Sequence, residues 1–213
     1  MIEAVVFDLD GVLLDSEHVW DEVRVELALE RAGRWSERAQ ADMMGMSSPE
    51  WSRYMHDVVG LADSPEEISA EVVRRMRARY EEVLPVIDGA VEVVRRLAGE
   101  HRLGLASSSN RQLIDAALSE MQLTDLFETT VSSEEVPRGK PAPDVYLEAA
   151  RRLGVDPGRC AAIEDSGNGI RSAHAAGMRV VAIPNSRYPP PPETLALADV
   201  VAASLLELDI GSL

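Results

Sequence analysis

The sequence holds one cysteine, Cys160, in 213 residues. No disulfide can form within the chain, so a buried core must supply its stability. Cys160 opens the apolar run Cys160-Ala161-Ala162-Ile163, a setting that suits a buried thiol. Histidine is scarce as well. His18, His56, His101 and His174 are scattered, and with a single cysteine they form no zinc-type ligand set. No apolar run approaches the roughly 20 residues of a membrane span. No basic segment with an apolar stretch and a cleavage site precedes the first strand, so a cytoplasmic protein is the expectation. Positive charge is also short: Lys and Arg total 21 against 37 Asp and Glu. The resulting net charge of −16 argues against a nucleic-acid backbone or an anionic membrane as partner.

Lysine is the scarcest cation. Lys140 is the only one, and arginine meets every other need for positive charge. A coding bias explains many arginines, but a lysine kept at one place hints that a compact ammonium is wanted there.

What is present begins at the amino terminus. Ile2 to Phe7 is a nearly continuous apolar run of one strand's length, the pattern of a strand covered on both faces. It ends in Asp8-Leu9-Asp10-Gly11. On an extended strand end, carboxylates at i and i+2 point to the same side. Held that close they repel unless a cation or a proton sits between them. Gly11 then allows a turn. The plainer alternative, a strand end followed by a helix-capping aspartate, explains one aspartate but not two.

Residues 16–84 read as helical. Val19, Val23 and Leu27 make a stripe with Trp20 beside it, and Gly33 closes the run. Gly45 to Pro49 reads as a loop, followed by a short helix around Trp51 to Val59. Ser64-Pro65-Glu66-Glu67 carries a capping-box start for a helix bearing Ile68, Val72, Met76 and Tyr80. From Pro85 the texture becomes alternating strand and helix. Strands are expected at Leu103–Ala106, Phe127–Val131, Cys160–Ile163 and Val180–Ile183, and helices after Gly89, Asn110, Asp144 and Gly169. Pro189 to Pro192 form a stiff connection. This alternation predicts a doubly wound parallel sheet, an α/β fold with a Rossmann-like core. The expected division is a core of 1–15 plus 85–213 and a helical insertion of 16–84.

In such sheets functional groups collect beyond the carboxyl ends of the strands. Asp8 and Asp10 follow one strand, Ser107 another, and Glu164 and Asp165 a third, with Lys140 in a loop before a helix. Converging carboxylates suit a hard cation, Mg²⁺ best. Ser107 to Asn110 can present a hydroxyl and backbone N–H groups to an anion, or can simply cap a helix through Asn110. Gly167-Asn168-Gly169 brings backbone near the acidic site, or serves only as a tight strand–helix turn. Serine, lysine, Mg²⁺ and a carboxylate nucleophile together describe phosphoryl transfer to or from a small phosphorylated metabolite.

Asp8-Leu9-Asp10-Gly11-Val12, Ser107, Gly139-Lys140-Pro141 and Glu164-Asp165-Ser166 resemble, in order, the four motifs of the haloacid dehalogenase superfamily. The branch resembled contains β-phosphoglucomutase and small phosphatases, with a helical cap after the first motif. The resemblance implies that Asp8 is the nucleophile and Asp10 the general acid and base. Mg²⁺ would be held by Asp8, the backbone carbonyl of Asp10, Glu164 and Asp165. Ser107, the Ser108 amide and Lys140 would hold the phosphate. The cap, 16–84, would close over the site and choose the substrate, with the Gly45–Ser48 loop, Trp20 and Trp51 as candidate contacts; both tryptophans suit a cap core equally.

Asp10 favours phosphate esters, whose leaving oxygen needs a proton. The mutases place an arginine in the cap loop and a lysine after the serine motif, where this chain has Ser48 and Asn110, with Arg111 as a partial substitute. The expected activity is therefore a phosphatase, with a mutase as the alternative. A phospho-acceptor signalling domain is the reading from another class. Lys140→Arg is expected to lose activity in a phosphate-release assay; full retention would show that the ammonium is not required.

Overall fold

The computed structural model describes residues 1–36 and 38–208. The last five residues assigned to the core, 209–213, lie outside them.

The apolar run at the start forms β1 (Ala4–Phe7). A helical stretch follows: α1 (Glu17–Glu30), α2 (Ala39–Met43), α3 (Ser48–Tyr54), which runs into a wider turn over Met55–Val59, and α4 (Pro65–Glu82). Alternation then begins with α5 (Ala90–Ala98), β2 (Arg102–Ser107), α6 (Arg111–Glu120) and β3 (Thr129–Ser132). It continues through α7 (Asp144–Leu153), β4 (Cys160–Glu164), α8 (Gly167–Ala175) and β5 (Arg179–Ala182). A short α9 (Pro192–Leu195) and β6 (Val200–Val201) close the described chain.

The strands pair in the order β3-β2-β1-β4-β5-β6, and every pairing is parallel. Strand order reverses at β1, which has β2 on one side and β4 on the other. That is the switch point where a doubly wound sheet opens a crevice at its carboxyl edge. Val5 and Phe7 pack on one face with Leu103, Leu105 and Ile163. Ala4 and Val6 pack on the other with Val145, Tyr146 and Ala149 of α7. Both faces of β1 are therefore dry, which is why its sequence is apolar throughout rather than alternating. Cys160 is buried on the second face.

The face carrying Phe7 continues without a break into the interior of α1, α3 and α4, through Trp20, Leu27, Trp51, Ile68, Val72 and Met76. Ser64 caps α4 as its capping box requires, its hydroxyl accepting from Glu67 N–H while Glu67 returns to the Ser64 N–H.

Several boundaries differ from expectation. Helix α3 starts at Ser48 rather than near Trp51, because a second capping box, Ser47 with Glu50, and Pro49 in the first turn begin it earlier. Helix α2 falls in a stretch with no clear apolar period. Helix α1 ends before Gly33: Ala32 takes the left-handed turn (φ 57°), and the Gly33 N–H closes onto Ala28 O at 2.7 Å. Gly33 is needed for space, since a Cβ there would lie 2.7 Å from Leu61 Cδ1. Phe127 stands before β3 and packs edge-on to Phe7, with ring centroids 5.9 Å apart. Pro192 opens α9 instead of remaining in the connection.

Phe7 is fully buried, edge-on to Phe127, in the core cluster of its sheet face. Phe7→Ala is expected to destabilise the fold by about 3–5 kcal/mol. The check is a lower urea midpoint at unchanged slope.

Candidate active site

Asp8 leaves the end of β1 with its N–H bonded to Ile163 O of β4 at 3.0 Å, so β4 fixes where the carboxylate emerges. Asp8 is buried, and Lys140 Nζ lies 2.9 Å from Asp8 Oδ1. That oxygen accepts no well-aligned hydrogen bond; the contact is ionic only. Lys140 is itself buried and also contacts Glu164 Oε1 at 2.5 Å. Burial alone would push the ammonium down, but the Asp8 and Glu164 carboxylates override it and hold the lysine above its usual range, hence charged.

Glu164 ends β4 at 0% exposure. Its Oε1 accepts from Lys140 and from the Tyr146 hydroxyl at 2.6 Å, and its Oε2 from the Ser166 hydroxyl at 3.2 Å. Asp165 is buried with only a long contact, 3.4 Å, from Asn185 Nδ2. Burial pushes the carboxyls of Asp8 and Asp165 well up. Glu164 adds to both by like charge, against the lowering pull of Lys140 on Asp8.

Two glycines make this crowding feasible. A Cβ on Gly11 (φ +78°) would sit 1.9 Å from Asp165 Oδ2, and one on Gly169 the same distance from the Glu164 carboxylate. Gly11 thus serves the close approach of Asp165 as well as its turn. Among the described residues, Asp8, Glu164 and Asp165 are the acidic group able to hold a metal ion, each offering an oxygen within 4.8 Å of the others. Asp8 Oδ1, partnered by the Lys140 ammonium alone, beside an almost unpartnered Asp165 fits a hard divalent cation. No histidine or cysteine joins them.

Asp10 stands apart from that trio. The Ser16 hydroxyl and the Trp20 indole N–H donate to its Oδ1 at 2.5 and 3.0 Å, and the Ser109 hydroxyl to Oδ2 at 2.6 Å. Ser107 is fully buried at the end of β2, its hydroxyl accepting from the Ser109 N–H at 3.0 Å. The walls of the crevice are Ser108 and Ser109 rather than Ser107. Asn110 does not cap α6 with its side chain; it accepts from Ser48 and donates to Glu134. Arg111 is drawn off to Thr130, Asp115 and Glu135, and does not line the crevice.

The helical stretch covers this edge. Ser108 donates to Gly45 O at 2.9 Å and Asn168 to Met44 O at 3.0 Å. Beneath the stretch lies a small cavity of about 40 Å³, part of it open to solvent. Trp20, Arg24, Glu17 and Trp51 line it together with Asp8 and Lys140. Glu17 is pushed up to about 7, chiefly by burial and then by Asp10, against the lowering pull of Arg24 and Gln40. Sequence reasoning missed Ser16, Glu17, Arg24, Ser109 and Tyr146; no short motif marks them.

The family model for haloacid dehalogenase-like hydrolases matches residues 2–177. The chain belongs to this family. It is 35% identical to hexitol phosphatase B of Escherichia coli K12 over 227 residues, covering 97% of this chain and 94% of the relative. Among solved structures, CbbY from Rhodobacter sphaeroides in complex with phosphate superposes with a TM-score of 0.86 at 26% identity, covering 98% of this chain and 96% of that one. β-Phosphoglucomutase from Clostridium difficile superposes with the same TM-score at 23% identity, covering 100% of this chain and 95% of that one; this likeness speaks to fold alone. The chain is thus a phosphoric monoester hydrolase with the Rossmann-like α/β fold of its family. No helix of the described residues is long and apolar enough to cross a membrane.

The crowded carboxylates set a pH dependence. Asp8, Asp165 and Glu17 have folded-state pKa values above their ordinary ones. Each therefore favours the fold while protonated and loses that contribution as pH rises through its raised value. Groups shifted down, such as Glu71 and Glu148 at about 2, act only at lower pH. Metal-free protein is expected to lose thermal stability between about pH 5 and 7. Mg²⁺ should restore it, and Asp165→Asn should flatten the pH trend and remove the Mg²⁺ response in a thermal-shift titration.

Proposed function

We propose that the chain is a Mg²⁺-dependent phosphatase of a small sugar or polyol monophosphate that works through a phosphoryl group carried on Asp8. The observation that carries this reading is the meeting of Asp8, Lys140, Glu164 and Asp165 at a partly open cavity that Asp8, Lys140, Asp165 and the Asp10 carboxylate line. Asp8 attacks phosphorus in line and forms an acyl phosphate as the P–O bond to the leaving group breaks. Asp10 gives its proton to the leaving oxygen, then takes one from the water that attacks the acyl phosphate. Ser16, Trp20 and Ser109 hold Asp10 in place for both steps.

Side chains of Asp8, Glu164 and Asp165 and the backbone carbonyl of Asp10 would hold Mg²⁺. Its chemistry there is to neutralise charge on the phosphoryl oxygens and keep Asp8 ionised. Lys140 adds a second fixed positive charge. Ser108 lines the phosphate's side of the cavity, and Ser107 contributes through the turn it ties to Ser109. In this reading residues 1–15 and 85–213 are the catalytic core. Residues 16–84 are the cap, which excludes water during the first step and chooses the substrate.

Arg111 was a candidate grip for the second phosphate of a mutase. Its engagement with Thr130, Asp115 and Glu135 removes it from that role and favours hydrolysis. Hexitol phosphatase B supports a polyol phosphate as the substrate class.

The test is a screen of phosphorylated metabolites for phosphate release with and without Mg²⁺. Release is expected with Mg²⁺, abolished by Asp8→Asn and lowered about 10²–10⁴-fold by Asp10→Asn. Conversion of β-glucose 1-phosphate to glucose 6-phosphate with negligible phosphate release would overturn the hydrolytic reading. A long-lived phosphate on wild-type Asp8 would point instead to a signalling role.

A further inference from the structure

Helix α7 buries Val145, Tyr146, Ala149, Ala150 and Leu153, and of these side chains Tyr146 alone carries a polar atom. It is fully buried, in the core cluster that holds Ala4, Val6 and Ala149. A phenylalanine fills such a space as well, and a buried hydroxyl costs free energy unless it is bonded. Its partner is Glu164, to whose Oε1 the hydroxyl donates at 2.6 Å. The Tyr146 ring also meets Lys140, whose Nζ lies 5.0 Å from the ring centroid. One side chain of α7 therefore touches both members of the Lys140–Glu164 ion pair. The two oxygens of Glu164 are held unequally. Oε1 takes the short bonds, 2.5 Å from Lys140 and 2.6 Å from Tyr146. A carboxylate oxygen has about two lone-pair sites, so these two donors fill it. Oε2 meets only longer contacts, from the Asp165 N–H at 3.2 Å, the Ser166 N–H at 3.4 Å and the Ser166 hydroxyl at 3.2 Å.

We propose that Tyr146 is a positioning residue of the metal site: its hydroxyl commits Glu164 Oε1 to the Lys140 side and leaves Oε2 as the oxygen available to a divalent cation. The proposal rests on the Mg²⁺ site of the phosphatase reading above. Without the hydroxyl, Oε1 keeps Lys140 alone. The carboxylate is then free to turn about its last side-chain bond and set both oxygens on the ammonium. A cation must pull Glu164 away from Lys140 before using it, and binds more weakly for that reason. A phenol suits the task because it donates without bringing charge. A second cation in its place would repel the metal, and an aliphatic side chain would offer Glu164 nothing. At neutral pH a phenol is protonated, so the device works without titrating. Partners that orient a ligand from behind in this way are worth about 10- to 100-fold in metal affinity.

The experiment titrates metal-free wild type and Tyr146→Phe with MgCl₂ in a calorimeter, with no substrate present. Phenylalanine keeps the ring, its packing and its contact with Lys140, so the variant folds, and a role confined to filling the core leaves the affinity unchanged. The Kd for Mg²⁺ is expected to rise about 10- to 100-fold in Tyr146→Phe. Hydrolysis of para-nitrophenyl phosphate by the variant should fall at limiting Mg²⁺ and return to the wild-type kcat at saturating Mg²⁺. An affinity equal to that of wild type, or tighter, overturns the proposal. So does a loss of kcat that saturating Mg²⁺ does not recover. Wild type that binds no Mg²⁺ overturns the metal site together with the role of Tyr146. Wild type that binds Mg²⁺ but releases phosphate from no ester overturns the phosphatase reading alone, because the calorimetric comparison still decides the role of Tyr146.

Discussion

One ammonium among carboxylates is the constraint on which the rest of the molecule depends. Asp8, Glu164 and Asp165 stand within a few ångström of one another in a dry setting, with Lys140 as the cation that reaches two of them. Such a group is unstable by itself: each charge lacks water, and each repels its neighbours. Strands β1 and β4 are paired directly, so the carboxylates have little freedom to move apart. That juxtaposition is chemically suited to a divalent cation, which would relieve the repulsion. The hydrogen bonds of Tyr146 and Ser166 to Glu164 leave Asp8 and Asp165 as the under-satisfied members.

Packing makes this arrangement possible and also hides it. Gly11 and Gly169 give the Asp165 and Glu164 carboxylates room that any side chain would take away. Above them, the segment from Met44 to Ser48 is bonded to two connections at the sheet's carboxyl edge, one after β2 through Ser108 and Asn110 and one after β4 through Asn168. The same connections carry or adjoin Ser109 and the Glu164–Asp165 pair. Trp20 belongs to both parts, packing in the interior of the helical stretch while its N–H holds Asp10.

Much of this was legible in the chain. The apolar run before Asp8 announced a strand buried on both faces, and β1 is one. The serine–glutamate box announced the start of α4. Acidic pairs after two apolar runs, and a lone lysine, pointed to the groups that the fold brings together, because those residue types are costly to bury side by side. Boundaries were less legible where two signals competed: Ser47 with Glu50 outweighed the loop character of Gly45 to Pro49, and space beside Leu61 rather than helix termination explained Gly33.

By itself, then, the sequence determined the sheet class, the family and the identity of the acidic cluster, since each depends on local pattern read along a strand or a turn. Only the tertiary structure decided that Ser109 rather than Ser107 faces Asp10, that Tyr146 shares Glu164 with Lys140, and that Glu17, Gln40 and Arg24 join into one hydrogen-bonded chain. Those partners come from helices and loops far apart in the chain, and their side-chain directions are set by packing across the cleft, which no spacing along a single element encodes.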